Sequence, residues 1–519
     1  MHSNKIPFME IEAQANLDKK LLHIGKLIAE LREGQNMTQG SLAKEIGTTQ
    51  SAVARIEQGE QNLSTEMLSK IGSALKKDIV HISNGSINFK IEGGHKLSGE
   101  ITTKTSKNAA VGLLCASLLN KNKTILKNMP RIEEVKRIIE VLESIEVSVK
   151  WNGDDLEIKP PEHFSLKNID YVAATKTRSI IMLIGPLIHI AKKFRLPHPG
   201  GCKLGSRTVK PHLYALEELG VKIDIKHDYY EISSEKIKPG YAVLYESGDT
   251  VTENVIMAAA RTPGETIIKF ASANYQVQDL CYYLKQLGIK IEGIGTTTLI
   301  VHGQKEIDTP ATYYISEDPI ESMLLLSAAI VTKSSITIKR CPIEFLELEL
   351  LKLKKMGFKY KILKHYKALN GETNLVDIKT FPSKLVALEE KIEARPYPGL
   401  NIDNLHFFTI IATQAKGQTF IHDWVYENRA IYNKELDKLG ADTILADPHR
   451  FYVNGPTKLK AAEIICPPAL RPGAIILIGM LAAEGTSILR NVYSINRGYE
   501  DLANRLNKIG AHITILQDL

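Results

Sequence analysis

The sequence predicts a mixed α/β body assembled from repeated units, set behind a small all-α module. Three observations predict it. Residues 142–151, 216–225, 284–293, 353–362, 436–445 and 506–515 share one pattern: Leu, two variable residues, an apolar residue, usually Gly, then an alternating run. This is a helix end, a glycine stop and a strand. It recurs about every 70 residues, too long a period for a solenoid and suited to a small α/β subdomain. A second element precedes the copies, a small-residue helix, polar turn and short strand, as at 258–268 and 481–489. Residues 17–77 carry short helical periodicities instead.

Within that first stretch Leu21, Leu22, Ile24, Leu27, Ile28 and Leu31 form an amphipathic run. Thr38 and Thr48 are expected N-caps, Gly47 and Gly59 expected stops, and a further helix is expected over 64–76. Two short helices joined through Gly47 make a helix-turn-helix; a helical bundle for dimerisation is the other use of such a segment. The residues resemble the repressor-like, lambda-Cro-type helix-turn-helix family. The resemblance implies a second helix in the major groove, with Thr49, Gln50 and Ser51 at base edges, Arg55 on the same face and Gln39 at a phosphate. Double-stranded DNA would then be the partner of residues 38–59, bound by a homodimer.

Composition narrows the class of the rest. At 519 residues the chain has room for roughly three domains. Apolar runs such as 180–191 suit core helices and are too short for a bilayer. The start, from Met1 to Lys5, has no signal-peptide apolar region. The 5 cysteines are scattered and lack metal spacing, as expected of reduced thiols in a cytoplasmic protein. A net charge of +7 suits anionic ligands, and no membrane contact, metal or organic cofactor is implied.

One loop stands out. In 199–207, Cys202 lies among glycines with Lys203 beside it and Arg207 further on. Glycines let backbone approach a ligand, and neighbouring cations favour a thiolate and suit a phosphorylated substrate. A small buried cysteine is the plainer reading of the loop by itself.

Six units, together with Ser106-Lys107-Asn108, Thr177-Arg178-Ser179, the 199–207 loop, Thr252-Glu253-Asn254, Asn401-Ile402-Asp403, Glu427-Asn428-Arg429, Leu470-Arg471 and 496–500, resemble the enolpyruvyl transferases, within them the branch acting on UDP-N-acetylglucosamine. The resemblance covers 87–519. It implies two inside-out α/β globules of three units each, one built from 86–106 plus 319–519 and the other from 107–318, behind a helix-turn-helix domain at 1–85. It implies transfer of the enolpyruvyl group of phosphoenolpyruvate to the 3′-hydroxyl of the nucleotide sugar, with release of phosphate. Lys107, Arg178, Arg207 and Arg497 would hold phosphoenolpyruvate, with Arg429 and Arg471 lining the cleft. Asn108 would bond the acceptor, Asp403 would be the general base, and Asp318 would sit where the chain crosses between globules. Cys202 would be the proton donor on a closing lid and the residue alkylated by fosfomycin.

The chain departs from that pattern on the acceptor side. Ala469 replaces the usual Asp before Leu470-Arg471, Asn274 and Gln276 replace acids, and Lys210 replaces an Asp. A transferase for another nucleotide acceptor, such as uridine monophosphate, therefore stays open. So does a regulator whose body only senses phosphoenolpyruvate or a nucleotide sugar.

Overall fold

The glycines of the repeated decapeptides, Gly220, Gly288, Gly357, Gly440 and Gly510, all adopt left-handed backbone, with φ from 82° to 98°. In the first copy Glu146 stands at that position and adopts φ 74°. Each turn reverses the chain from a helix end into a strand, a conformation that a side chain resists. The structure, a computed structural model, describes residues 25, 28–29, 31–33, 35, 37–61, 63, 65–75, 87–200, 208–426 and 429–517. It divides into two units, Met1–Gly85 and Ser86–Asp518.

In the first unit the helices Gln39–Ile46 and Gln50–Glu57 are joined through Gly47, at φ 71°. Thr38 caps the first helix, its Oγ1 accepting from the Ser41 amide. The second cap is Thr49, whose Oγ1 accepts from the Ala52 amide, where the sequence suggested Thr48. The left-handed glycine turns the chain one residue later than expected. Leu42, Ala43, Ile46, Val53 and Ile56 pack with Ile28, Ile71 and Leu75 into a small core. Arg32 clamps the second helix by its end, Nε to Glu57 Oε1 at 2.6 Å and Nη2 to Oε2 at 3.0 Å.

Among the described residues the second unit carries six sheets. The decapeptide strand, such as Ser148–Asn152, Lys290–Glu292 or His512–Gln517, lies at an edge of a different sheet in every copy. Three sheets are built within 124–314, two combine strands of 87–102 with strands of 335–517, and one lies within 385–455. One apolar core gathers residues from Ala109 to Ile315. A second joins Phe89 to Ile101 with Ile320 to Ile513. The helices form the inner layer: all of Pro319–Val331 is buried. Strands such as Asp155–Lys159 alternate buried and open positions, as expected of sheets with one face to solvent.

The chain crosses between these two sets twice, and the crossings are tied together. The Ser106 amide donates to the Ser316 carbonyl at 2.8 Å and the Asp318 amide to the Lys104 carbonyl at 2.9 Å. Asp318 then caps Pro319–Val331 by accepting from the Ile320 amide at 2.8 Å. Among the described residues no helix is long and apolar enough to cross a membrane, and no group of three or more His, Cys, Asp and Glu is placed to hold a metal.

Candidate active site

Lys107 opens the helix Lys107–Ala116, which Ser106 caps by accepting from the Ala109 amide. Its Nζ donates to Glu134 Oε2 at 3.0 Å. The other oxygen of Glu134 accepts from Ser179 Oγ at 2.9 Å and Thr177 Oγ1 at 3.3 Å. Burial opposes ionisation of Glu134, but the charges of Lys107 and Arg497 outweigh it and hold the carboxyl down to about 2. Lys107 and Arg497 thus share one carboxylate, and Arg497 Nε is buried with no protein partner.

A second cluster faces Lys107. Asp403 lies between two arginines, 3.1 Å from Arg471 Nη2 and 3.5 Å from Arg429 Nη1. Burial would raise its pKa, yet Arg471, Arg429 and, further off, Lys107 bring it down to about 2. Arg429 is buried outright and fixed by both oxygens of Asp423, at 2.7 and 2.9 Å, and by the Ile402 carbonyl at 2.9 Å. A buried guanidinium needs such complete pairing, because an uncompensated one costs several kcal/mol. Arg471 donates to the Tyr499 hydroxyl and lies over its ring. Asp318, beside Arg471, is pushed up to about 6 by burial. Its carboxylate is occupied as a helix cap.

The structure therefore brings Lys107, Arg497, Asp403, Arg429, Arg471 and Asp318 within electrostatic reach of one another through shared carboxylates. Asn108 joins them, its Nδ2 donating to the Tyr275 hydroxyl at 3.1 Å. Arg178 lies alongside, with Nη2 donating to the Thr208 carbonyl at 2.9 Å. Cys202, Lys203 and Arg207 lie outside the described residues, as do Glu427 and Asn428. Both neighbours of the 201–207 segment rest on 175–178: Thr208 through Arg178, and Gly200 by backbone, where a Cβ would fall 1.6 Å from the Thr175 carbonyl oxygen. Gly is required there.

Glu134 and Asp423 were invisible as site residues in the sequence. Neither sits in a distinctive motif, and Glu134 follows Glu133, which pairs with Arg137 instead. The amides at 274 and 276 each face an acid on the helix Asp249–Ala260. Asn274 Nδ2 donates to Asp249 Oδ2 at 3.0 Å, and Gln276 Nε2 to Glu253 Oε2 at 3.3 Å. Burial raises both acids, Glu253 strongly. An acid at 274 or 276 would repel them, so the amides match their partners. Lys210 is exposed at the start of Lys210–Glu217.

In the first unit Thr49, Gln50, Ser51 and Arg55 are exposed, while Ala52, Val53 and Ile56 face inward. Gln39 is half-buried, and its Nε2 donates to Glu57 Oε2 at 2.8 Å.

The sequence model of the EPSP synthase (3-phosphoshikimate 1-carboxyvinyltransferase) family matches residues 91–506, and a helix-turn-helix model matches 28–82. UDP-N-acetylglucosamine 1-carboxyvinyltransferase of Bradyrhizobium diazoefficiens is 33% identical over 427 residues, 82% of this chain and 97% of that protein. The same-named protein of Treponema denticola is 34% identical over 435 residues, 82% of this chain and 99% of that one. Among solved structures, the enolpyruvyl transferase NikO from Streptomyces tendae aligns with a TM-score of 0.72 at 21% identity, over 84% of this chain and all (100%) of that one. EPSP synthase from Acinetobacter baumannii aligns at 0.66 and 16%, over 83% and 100%. These two likenesses bear on the fold alone.

Proposed function

The chain belongs to the enolpyruvyl transferase family, and from that premise we propose that it moves the enolpyruvyl group of phosphoenolpyruvate onto the 3′-hydroxyl of UDP-N-acetylglucosamine and releases phosphate. The observation that carries this reading is the nearness of the Lys107–Glu134–Arg497 corner to the Asp403–Arg429–Arg471 corner, with Lys107 acting on both carboxylates. The first suits an anion carrying a phosphate and a carboxylate, with Arg178 and Arg207 completing it. The second offers an ionised carboxylate to a hydroxyl. The two-lobed division into 86–106 plus 319–519 and 107–318 is part of the same proposal, with the tied crossings as the joint.

In this reading the Cys202 thiol gives its proton to the methylene carbon of phosphoenolpyruvate, which becomes a methyl group. The acceptor oxygen bonds to C2 as its proton passes to Asp403. The thiolate then takes a methyl proton back, the C2–O bond to phosphate breaks, and the enol double bond reforms. The proton from the hydroxyl leaves with the phosphate. Arg471 and Arg429 keep Asp403 ionised and orient it, at the cost of base strength, so its proton transfer accompanies attack. Closure of the 201–207 segment would exclude water from the cationic centre.

The first unit would bind double-stranded DNA through Thr49, Gln50, Ser51 and Arg55, as a homodimer. A regulatory coupling of the two activities belongs to this proposal and not to the family assignment. Incubation with phosphoenolpyruvate and, separately, UDP-N-acetylglucosamine, uridine monophosphate and shikimate 3-phosphate tests the enzyme. Phosphate release with the nucleotide sugar is expected. Release only with another acceptor, or binding without release, would overturn the assignment.

A further inference from the structure

The group that fixes Asn108 comes from an element that the proposed chemistry does not use. Tyr275 begins the helix Tyr275–Gln286 and belongs in sequence to the 107–318 stretch. Its ring nonetheless packs into the other core, edge-on to Phe345 with centroids 5.8 Å apart. Among the described residues no other side chain of 107–318 belongs to that core. The phenol oxygen accepts from Asn108 Nδ2 at 3.1 Å and from Ser106 Oγ at 3.2 Å. On its other side the Tyr275 amide donates to Asn274 Oδ1 at 2.9 Å, and Asn274 Nδ2 reaches Asp249. One hydrogen-bonded chain thus runs from Asp249 through Asn274 and Tyr275 to Asn108, next to Lys107.

A primary amide has one acceptor atom and one donor group. With one Nδ2 hydrogen on the phenol, Asn108 keeps its Oδ1 and a second N–H for a ligand. The Tyr275 ring cannot yield easily, since it is buried in that core against Phe345.

We propose that Tyr275 is a positioning residue for acceptor recognition, its phenol holding the Asn108 side chain in place beside Lys107. The inference rests on the reading of the site given above, and it deepens that reading by naming the residue that holds Asn108 for the acceptor.

Tyr275→Phe keeps the ring and deletes only the hydroxyl. Titration calorimetry with UDP-N-acetylglucosamine on the full-length parent, Tyr275→Phe, Asn108→Ala and the double variant reads the effect. Each single change is expected to weaken binding about tenfold. The double variant is expected to bind no more weakly than Asn108→Ala, because Tyr275 acts through Asn108. Losses that multiply in the double variant would overturn the positioning role while leaving the acceptor assignment standing. A parent that binds no nucleotide sugar would overturn the acceptor assignment itself, and the proposal with it.

Discussion

Glu134 holds Lys107 in place: Nζ donates to Oε2 at 3.0 Å, and Ser179 and Thr177 bond the other oxygen, so the carboxylate cannot swing away. Glu134→Gln keeps the shape and the hydroxyl contacts but removes the charge that balances Lys107 and Arg497. We expect kcat/KM for phosphoenolpyruvate to fall about 10- to 100-fold, corresponding to about 1–3 kcal/mol for one charge-assisted contact. Steady-state kinetics at fixed acceptor measures it. An unchanged kcat/KM would show that Lys107 needs no such support.

The same carboxyl sets a pH dependence of stability. Glu134 and Asp403 both titrate near 2 in the folded chain, below their ordinary values of 4.5 and 3.8. The unfolded state therefore binds more protons as pH falls from about 5 to 2. The stabilisation is complete above the ordinary carboxylate range and is lost through that window, on the order of 2–3 kcal/mol per group. Urea unfolding between pH 3 and 6 should show stability rising with pH, and Glu134→Gln should flatten that slope. An equal slope in the variant would remove Glu134 as a source.

Gly200 meets the Thr175 carbonyl oxygen so closely that a Cβ would lie 1.6 Å from it. Gly200→Ala must therefore displace the approach to the 201–207 segment while leaving both cores untouched. We expect turnover to fall at least tenfold, as misplacement of a reacting group by about 1 Å can cost 100-fold. The thermal midpoint should move little. Full turnover would show that the segment's seat on Thr175 has no part in the reaction.

What the sequence made legible follows a physical rule. The repeats could be read because left-handed turns demand glycine, which leaves a mark at Gly220, Gly288, Gly357, Gly440 and Gly510. Lys107, Asp403, Arg429 and Arg471 could be picked out because each sits in a short motif. Their partners could not. Glu134 reaches Lys107 across 27 positions, and Tyr275 reaches Asn108 across 167. Such approaches are fixed by tertiary packing, which leaves no local period. The cap at Thr49 was missed by one residue for a local reason, since the left-handed Gly47 delays the helix start.

Glu146 tests the same rule from the other side. It alone among the six equivalent positions carries a side chain in the left-handed region, at φ 74°. For an L residue this conformation costs roughly 1–2 kcal/mol, offset in part by the greater unfolded-state freedom of glycine. Glu146→Gly should therefore raise the unfolding free energy by about 0.5–1 kcal/mol. A lower denaturation midpoint would mean that Glu146 makes compensating contacts.

Ala469 occupies the N-cap of Leu470–Ala482 in extended backbone, φ −114° and ψ 135°, with no side-chain cap. The following residues are Leu470, Arg471 and Pro472, and proline has no N–H to cap. An aspartate here would accept from the Arg471 amide and meet the positive end of the helix, a gain of about 1 kcal/mol. Its negative charge, two residues from Arg471, would compete for the guanidinium that is bonded to Asp403 at 3.1 Å. Drawing that cation away weakens a main force depressing Asp403, whose pKa should rise from about 2 toward its ordinary 3.8. Ala469→Asp is therefore expected to raise the denaturation midpoint and to make Asp403 a stronger base. In kinetics, the acid limb of kcat against pH should move to higher pH. A raised midpoint with an unmoved acid limb would assign Ala469 to helix stability alone. A lowered midpoint would show that burying the new carboxylate outweighs the cap.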